Sequence, residues 1–362
     1  MPSKTTSTDY DVIIIGGSYA GLQAALTLGR SLRNVLVVDG GLPCNRYTPH
    51  SQNFLTYDGT KPSEISQLGR KQIESTYGRT VKFLDDDIVI KGSSSSSNGN
   101  DGKEEEDKND VKDTTTPTTA TPTILTIETK SGKIFTCKKL IVASGVIDQI
   151  PTHIPGFEDC WGKSIIHCPY CHGYEYHSKR TGLYLTKAQH VNMAFSHLLP
   201  LLHNLTNKIY VVLDSSSGCS GNDDGDDNNE KLVLSDEQVA KATKHGITVI
   251  HGALKSIQHD SKGYMSSVTV GGEGNSQIIE LDAMYAMLPT KQSCTVPHDM
   301  FGCDVDETNG LLKVNPMSYK TNVEGIFAVG DTMTPFRTVA NAVASGNMAG
   351  AIANMELSQA EF

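Results

Sequence analysis

The chain alternates short, fully apolar runs with longer stretches of helical period. Asp11-Val12-Ile13-Ile14-Ile15 is the first such run and reads as a strand buried on both faces. Gly16-Gly17-Ser18-Tyr19-Ala20-Gly21 follows, and then apolar positions at helical spacing through Leu28 and Leu32. Val35-Leu36-Val37-Val38 is a second apolar run, ending in Asp39. The pattern predicts a βαβ unit with parallel strands. A further strand is predicted over Lys139 to Ala143, ending at Ser144-Gly145. The rhythm recurs in the middle of the chain. There a helix-like run from His190 to Leu202 leads into the strand Ile209-Tyr210-Val211-Val212-Leu213. Near the end, Gly325-Ile326-Phe327-Ala328-Val329 runs into Gly330-Asp331, and Val339 to Met355 reads as a helix rich in small residues. The predicted fold class is α/β.

Two tracts break this pattern. Gly92 to Thr123 is rich in Ser, Asn, acids, Thr and Pro, and Ser215 to Glu230 in Ser, Gly, Asn and Asp. Neither can bury enough apolar area to offset its ordering entropy, so both are expected to be mobile surface loops. They also explain the net charge of −10. Residues 101–113 carry −4 and residues 223–230 carry −5, which leaves the remainder near neutral. Nothing in that balance suggests nucleic acid or an acidic membrane as a partner.

At 362 residues the chain is long enough for two domains. No apolar run reaches the roughly 18–20 residues of a spanning helix. Met1 to Tyr10 lacks both an apolar core and arginines, so a cytoplasmic protein is expected. Six of the eight cysteines stand singly, at 44, 137, 160, 219, 294 and 303. That spacing does not resemble a secreted disulfide framework, and these residues are expected to be small buried hydrophobes.

Two motifs carry chemistry. Gly16 to Gly21 lies between a strand and a helix, where free N–H groups and the helix dipole favour a pyrophosphate. Gly16 allows the tight turn, and Gly21 lets helix and strand pack closely. Ser18 replaces the middle glycine of the usual pattern with a small residue, and Asp39 is placed for an adenosine ribose. The second motif is His167-Cys168-Pro169-Tyr170-Cys171-His172. It reads as a redox disulfide, a zinc site or a purely structural pair. Zinc is disfavoured because adjacent His and Cys rarely point to one centre and no second Cys-x-x-Cys exists, so no metal site is expected. His172 can take a proton from a thiol near neutral pH, and His167 and Glu175 are further acid–base candidates.

These motifs, with Ala143-Ser144-Gly145 and Gly330-Asp331, occur in the order seen in thioredoxin reductases. The chain resembles the thioredoxin reductase-like flavoproteins. Cys-Pro-Tyr-Cys-His-Gly-Tyr-Glu, with Pro43-Cys44-Asn45-Arg46 and Thr48-Pro49-His50 upstream, is most similar to a subgroup that includes fungal dithiol oxidases. The resemblance implies two Rossmann-like three-layer domains. An FAD domain, 1–155 and 286–362, is split around a central NAD(P)-type domain, 156–285, that carries the disulfide. It implies that Gly16, Ser18, Ala20 and Gly21 face the FAD pyrophosphate and Asp39 the ribose. Gly145 and Gly330 fall in motifs of the same site. Asn53 is implied to approach the flavin and Asp331 the ribityl chain, with the helix after Arg337 aimed at the pyrimidine end. Cys171 is implied to face the flavin and Cys168 to exchange with substrate. Homodimerisation is implied as well.

Two departures count against NADPH. The loop after Thr181-Gly182-Leu183-Tyr184-Leu185 is Thr186-Lys187-Ala188-Gln189-His190-Val191, which has no glycine to admit a pyrophosphate. The next strand ends at Asp214 and enters an acidic tract where a 2′-phosphate would need basic residues. A milder third is Ala286-Met287-Leu288-Pro289, where a glycine-containing strand end is usual. The expected function is FAD-dependent exchange of electrons between the Cys168–Cys171 pair and a dithiol or disulfide substrate, either a small molecule or a thioredoxin-like protein. Oxygen or a ferredoxin-like protein would stand on the other side of the flavin. The rivals are an NADPH-dependent thioredoxin-disulfide reductase with a diverged nucleotide site, and a non-catalytic flavoprotein scaffold.

Overall fold

In the computed structural model, residues 8–89, 124–215, 232–271 and 275–362 are described. The tract 92–123 lies outside them, as does 215–230 apart from Ser215. The first apolar runs form the strands expected of them. In chain order the elements are β1 (Tyr10–Ile15), α1 (Tyr19–Arg30), β2 (Val35–Asp39), α2 (Pro62–Tyr77), β3 (Val81–Asp85), β4 (Ile88–Val89), β5 (Leu125–Thr129), β6 (Ile134–Val142) and β7 (Val146–Asp148). A seven-stranded sheet runs β3-β2-β1-β6-β5-β4, with a later strand, β17 (Ile326–Ala328), also pairing with β6. β1, β2, β3, β6 and β17 are parallel, and the β4–β5–β6 edge is antiparallel. β6 starts five residues before the predicted Lys139. It pairs with β5 over its first half and with β17 over its second, and both ladders extend it.

The middle of the chain gives α3 (Phe157–Cys160), β8 (Ile165–Ile166), α4 (Pro169–His172), β9 (Thr181–Leu185), α5 (Ala188–Met193), α6 (Leu199–Leu205), β10 (Ile209–Leu213) and α7 (Asp236–Lys244). Then come β11 (Thr248–His251), β12 (Ala253–His259), β13 (Met265–Gly271), β14 (Ser276–Glu280) and β15 (Ala283–Ala286). β11-β10-β9-β15-β8 is a parallel sheet, and β12-β13-β14 an antiparallel one. All five β9 residues are buried. Tyr184 faces the antiparallel sheet, clustering with Leu254 and Val268, while Leu183 and Leu185 face Val191, Phe195 and Leu202 of the helices. That is a three-layer unit. The helical run predicted from His190 to Leu202 spans Ala188 to Leu205 but widens to a π turn over Ala194–Leu198. Pro200, which has no N–H to donate, stands two residues beyond it. The antiparallel sheet β12–β14 was not predicted.

The last part adds β16 (Thr290–Gln292), α8 (Val296–Asp299), β17 and α9 (Val339–Glu361). β16 pairs with β7, so a two-stranded ladder stands where the chain passes between the two large sheets. α9 is longer than predicted and lies against α1 across small residues. A β-carbon at Gly346 would overlap the Ala20 backbone, and one at Gly350 would press on the Ala24 carbonyl. The close approach buries Ala24, Leu28, Ala349 and Ala353 against Val12 and Ile14 of β1. Ile13, Ile15 and Val38 face the opposite side with Leu312 and Cys303. Among the described residues no helix is long and apolar enough to cross a membrane.

Gly346→Ala tests this helix contact. Helix propensity alone would favour alanine by about 1 kcal/mol. Backbone overlap with Ala20 should outweigh that and leave the variant destabilised by about 1–3 kcal/mol, read from the urea midpoint.

Candidate active site

β1, β6 and β17 end side by side, and the segments that leave them line two adjoining cavities. The larger measures about 1020 Å³, at the upper end of the ~300–1,000 Å³ usual for small-molecule sites. It runs past Gly16, Ser18, Asp39 and Arg46. The smaller is lined by Ser18, Ala20, Gly145, His167, Asp331 and Arg337, among others. The two share Ser18, Pro43, Thr48, Ala143 and Ser144 and so form one extended groove.

Gly16 is required where it stands. Its φ is +102°, and a β-carbon there would strike the Ala143 carbonyl. Ser18 precedes α1 with no side-chain cap, so the first N–H groups of that twelve-residue helix remain free for a ligand. Asp39 ends β2 and accepts the Gly41 N–H at 3.2 Å. Gly21 lines neither cavity; it packs directly on the Gly16 carbonyl. Gly145 donates to Thr332 Oγ1 at 2.7 Å, and Gly330 to Ser345 Oγ at 3.0 Å. Asn53 is not brought to the groove. It sits on an exposed turn at φ +59°, lines neither cavity, and its N–H donates to Asp58 Oδ1 at 2.6 Å.

Cys168 and Cys171 are joined as a disulfide with their Cα atoms 5.3 Å apart. Cys168 caps α4 and Pro169 occupies its first turn, where a missing N–H costs nothing. With both sulfurs bonded to each other, neither is available to zinc as a thiolate. His167 immediately precedes the pair and lines the smaller cavity, so the disulfide begins one residue beyond the cavity wall. The His167 ring stacks on Trp161 at 6.1 Å. The side chain is exposed because its ring opens onto the groove, although protein atoms crowd around it. Burial, and then the nearby Arg337 charge, push its pKa down to about 4. His172 is likewise lowered by burial, against the opposing influence of Glu175 and the His50 backbone. Its Nε2 is buried with no hydrogen-bond partner among the described residues, which leaves a free site for a proton. Gln52 Nε2 donates to Glu175 Oε1 at 3.0 Å and ties the loop before Asn53 to the disulfide segment.

Four groups at the groove, Arg337, Asp148, Cys44 and Trp161, were not singled out from the sequence. Arg337 makes a two-pronged pair with Asp148, at 2.6 and 3.1 Å, and its Nε lies 3.5 Å from Asp331 Oδ2. Burial opposes the Arg337 charge, but the paired Asp148 and then Asp331 outweigh it and the guanidinium is held charged more firmly than usual. Burial pushes Asp331 above the ordinary carboxylate range. Cys44 is the third: it was expected to be a plain core residue but lines the groove and donates to Asp331 Oδ2 at 3.2 Å. Trp161 is the fourth. Of the other single cysteines, Cys137, Cys160 and Cys303 are buried, Cys294 is half-buried beside the larger cavity, and Cys219 lies outside the described residues. Ser144 Oγ is buried in the groove without a partner among the described residues, as expected of a group that meets a polar ligand.

Two Rossmann-like sheets, a groove at the strand ends and a Cys-x-x-Cys disulfide at its rim point to a class, the thiol–disulfide oxidoreductases. Residues 10–193 match the pyridine nucleotide-disulphide oxidoreductase family, and the chain belongs to it. It is similar to thioredoxin reductase tcpT of Claviceps purpurea, with 28% identity, 98% of this chain and 96% of that one being covered. An oxidoreductase from Agrobacterium tumefaciens matches with a TM-score of 0.74 at 30% identity over 97% of this chain and 99% of that one. The fold is also that of a putative thioredoxin reductase TrxB from Bacillus anthracis, with a TM-score of 0.77, 21% identity and coverage of 98% and 100%. The chain is thus a thioredoxin reductase-like redox enzyme.

The lowered imidazoles set a pH dependence. Both are neutral in the fold at pH 7, whereas an unfolded histidine takes up its proton near ~6.5. Protons therefore bind the unfolded chain first as pH falls, and this part of the stability declines from about pH 6.5. For His167 the decline levels off near its folded value of about 4. His167→Gln should flatten the fall of Tm across that window, as measured by calorimetry.

Proposed function

We propose that the chain is an FAD-dependent dithiol oxidase of thioredoxin reductase type. The observation that carries the reading is the disulfide placed one residue from the wall of the groove. The free start of α1, the close turn at Gly16 and the unpartnered Ser144 hydroxyl fit FAD. Gly16, Ser18 and Ala20 would take the pyrophosphate, with Gly21 supporting the turn and Asp39 on the ribose. Asp331 would take the ribityl chain, beside Gly145 and Gly330. α9, which begins at Val339 after its cap Thr338, would favour negative charge on the ring. Asn53 would have to swing inward to take part.

NADPH fits the central unit poorly. α5 starts directly after Lys187 with no glycine turn. Asp214 is 1% exposed, and its carboxylate accepts from the Tyr184 hydroxyl at 3.0 Å and the Leu254 N–H at 2.9 Å. A residue so held is not offered to a ribose.

The chemistry then starts from a substrate dithiol. One substrate thiolate attacks Cys168 Sγ, the Cys168–Cys171 bond breaks, and Cys171 leaves as a thiolate. The second substrate thiol, its proton taken by His172, attacks the substrate sulfur of the mixed disulfide. Substrate departs as a disulfide, and Cys168 and Cys171 hold its electron pair. FAD held by Gly16, Ser18, Ala20, Asp39 and Asp331 would supply a two-electron acceptor for that pair, with oxygen as the final oxidant and hydrogen peroxide as the second product. Residues 1–155 and 286–362 would form the FAD unit around 156–285, in a cytoplasmic homodimer. The name of the fungal relatives, thioredoxin reductase, favours a second reading, in which a thioredoxin-like protein exchanges with Cys168.

Anaerobic dithiothreitol should bleach the flavin of the wild-type protein. Cys168→Ser should slow that bleaching by at least on the order of 100-fold in stopped-flow absorbance. Equal rates in both proteins would remove the disulfide from the path and favour the scaffold reading.

A further inference from the structure

Cys44 opens the helical turn Cys44–Tyr47 after Pro43 and faces the same cavity as Asp148, Asp331 and Arg337. Its thiol donates to Asp331 Oδ2 at 3.2 Å. Arg337 does not replace that bond. Its Nη1 and Nη2 are both directed to Asp148, and its Nε, 3.5 Å from Oδ2, makes no hydrogen bond. The Asp331 side chain is only 16% exposed, so an oxygen left without a donor there would go unsatisfied. Burial first, and then the neighbouring Asp331, push the Cys44 pKa up to about 12. The sulfur therefore keeps its proton and stays a donor. A protonated thiol is also a poor nucleophile, which sets the half-buried Cys44 apart from the exchanging pair.

We propose that Cys44 is a positioning residue: its S–H fixes Oδ2 of Asp331, so that Oδ1 is presented to the hydroxyl groups of a polyol chain in the groove. The inference rests on the reading of Asp331 as a cofactor ligand, and it adds the group that orients it. It assigns a sulfur outside the Cys168–Cys171 pair a role in cofactor retention rather than in electron transfer.

The test measures FAD dissociation from the purified holoprotein by the fluorescence of released flavin, for Cys44→Ala, Cys44→Ser and Asp331→Asn. Loss of the donor should weaken FAD binding about tenfold, the size of one hydrogen bond to a charged group. Cys44→Ser supplies an O–H donor and should restore affinity to within about threefold of wild type, with the visible flavin bands in their wild-type positions. Asp331→Asn should weaken binding at least as much as Cys44→Ala. Wild-type affinity in Cys44→Ala alongside weakened Asp331→Asn overturns the role of Cys44. So does Cys44→Ser no tighter than Cys44→Ala, since packing rather than the proton would then be at work. Unchanged affinity in Asp331→Asn instead overturns the assignment of Asp331 itself.

Discussion

The site depends on the register of three parallel strands. Ile15 of β1 stands opposite Val142 of β6, and Val142 opposite Ala328 of β17. All three strands end at the same level, so the segments that leave them must share one crowded edge. Gly16, Ala143-Ser144-Gly145 and Gly330-Asp331 belong to those segments. Ligands of open α/β sheets lie at such carboxyl ends. Crowding is why Gly16 has no substitute and why Gly21 must sit flush on its carbonyl. The same edge receives the start of α9, held against α1 by small residues on both helices. Shift any strand by one residue and each of these groups would leave the groove.

The central unit repeats the α/β plan, and on the proposed reading it serves another use. Its strands end at β8 and β9 as a nucleotide-binding sheet would. After β8, however, the chain delivers His167 to the neighbouring groove and then the disulfide. After β9 and β10 the positions that would cradle a nucleotide are occupied by a helix start and by Asp214, which is bonded inward to Tyr184 and Leu254. On the proposed reading, one sheet supports the cofactor edge. The other carries the sulfurs to it, and the short β7–β16 ladder links the two. Asp148 lies on that ladder and grips Arg337 beside the groove, so the linkage and the site share a buried ion pair.

Much of this was legible in the chain. Runs such as Val12–Ile15 and Ile209–Leu213 are too apolar to be anything but buried strands, and the glycine turn and the sulfur pair are local in sequence. The features that escaped notice are long-range or weakly patterned. The strands β12–β14 alternate loosely, and with Ser, Thr and Gly among them they gave no clear period. Cys44 looked like any single cysteine, because its partner Asp331 is 287 positions away. Arg337 and Asp148 meet across 189 positions. Asn53 shows the opposite limit, since a motif fixed its place in the chain but not the direction its turn faces.

The central claim is that electrons enter through the sulfurs and need no pyridine nucleotide. Oxygen uptake and peroxide yield, measured with a small dithiol as the sole reductant, test it most directly. The account predicts sustained turnover, with equal amounts of disulfide and hydrogen peroxide formed and no change on adding NADPH. Turnover that begins only when NADPH is supplied, with the dithiol appearing as product rather than reactant, would contradict it.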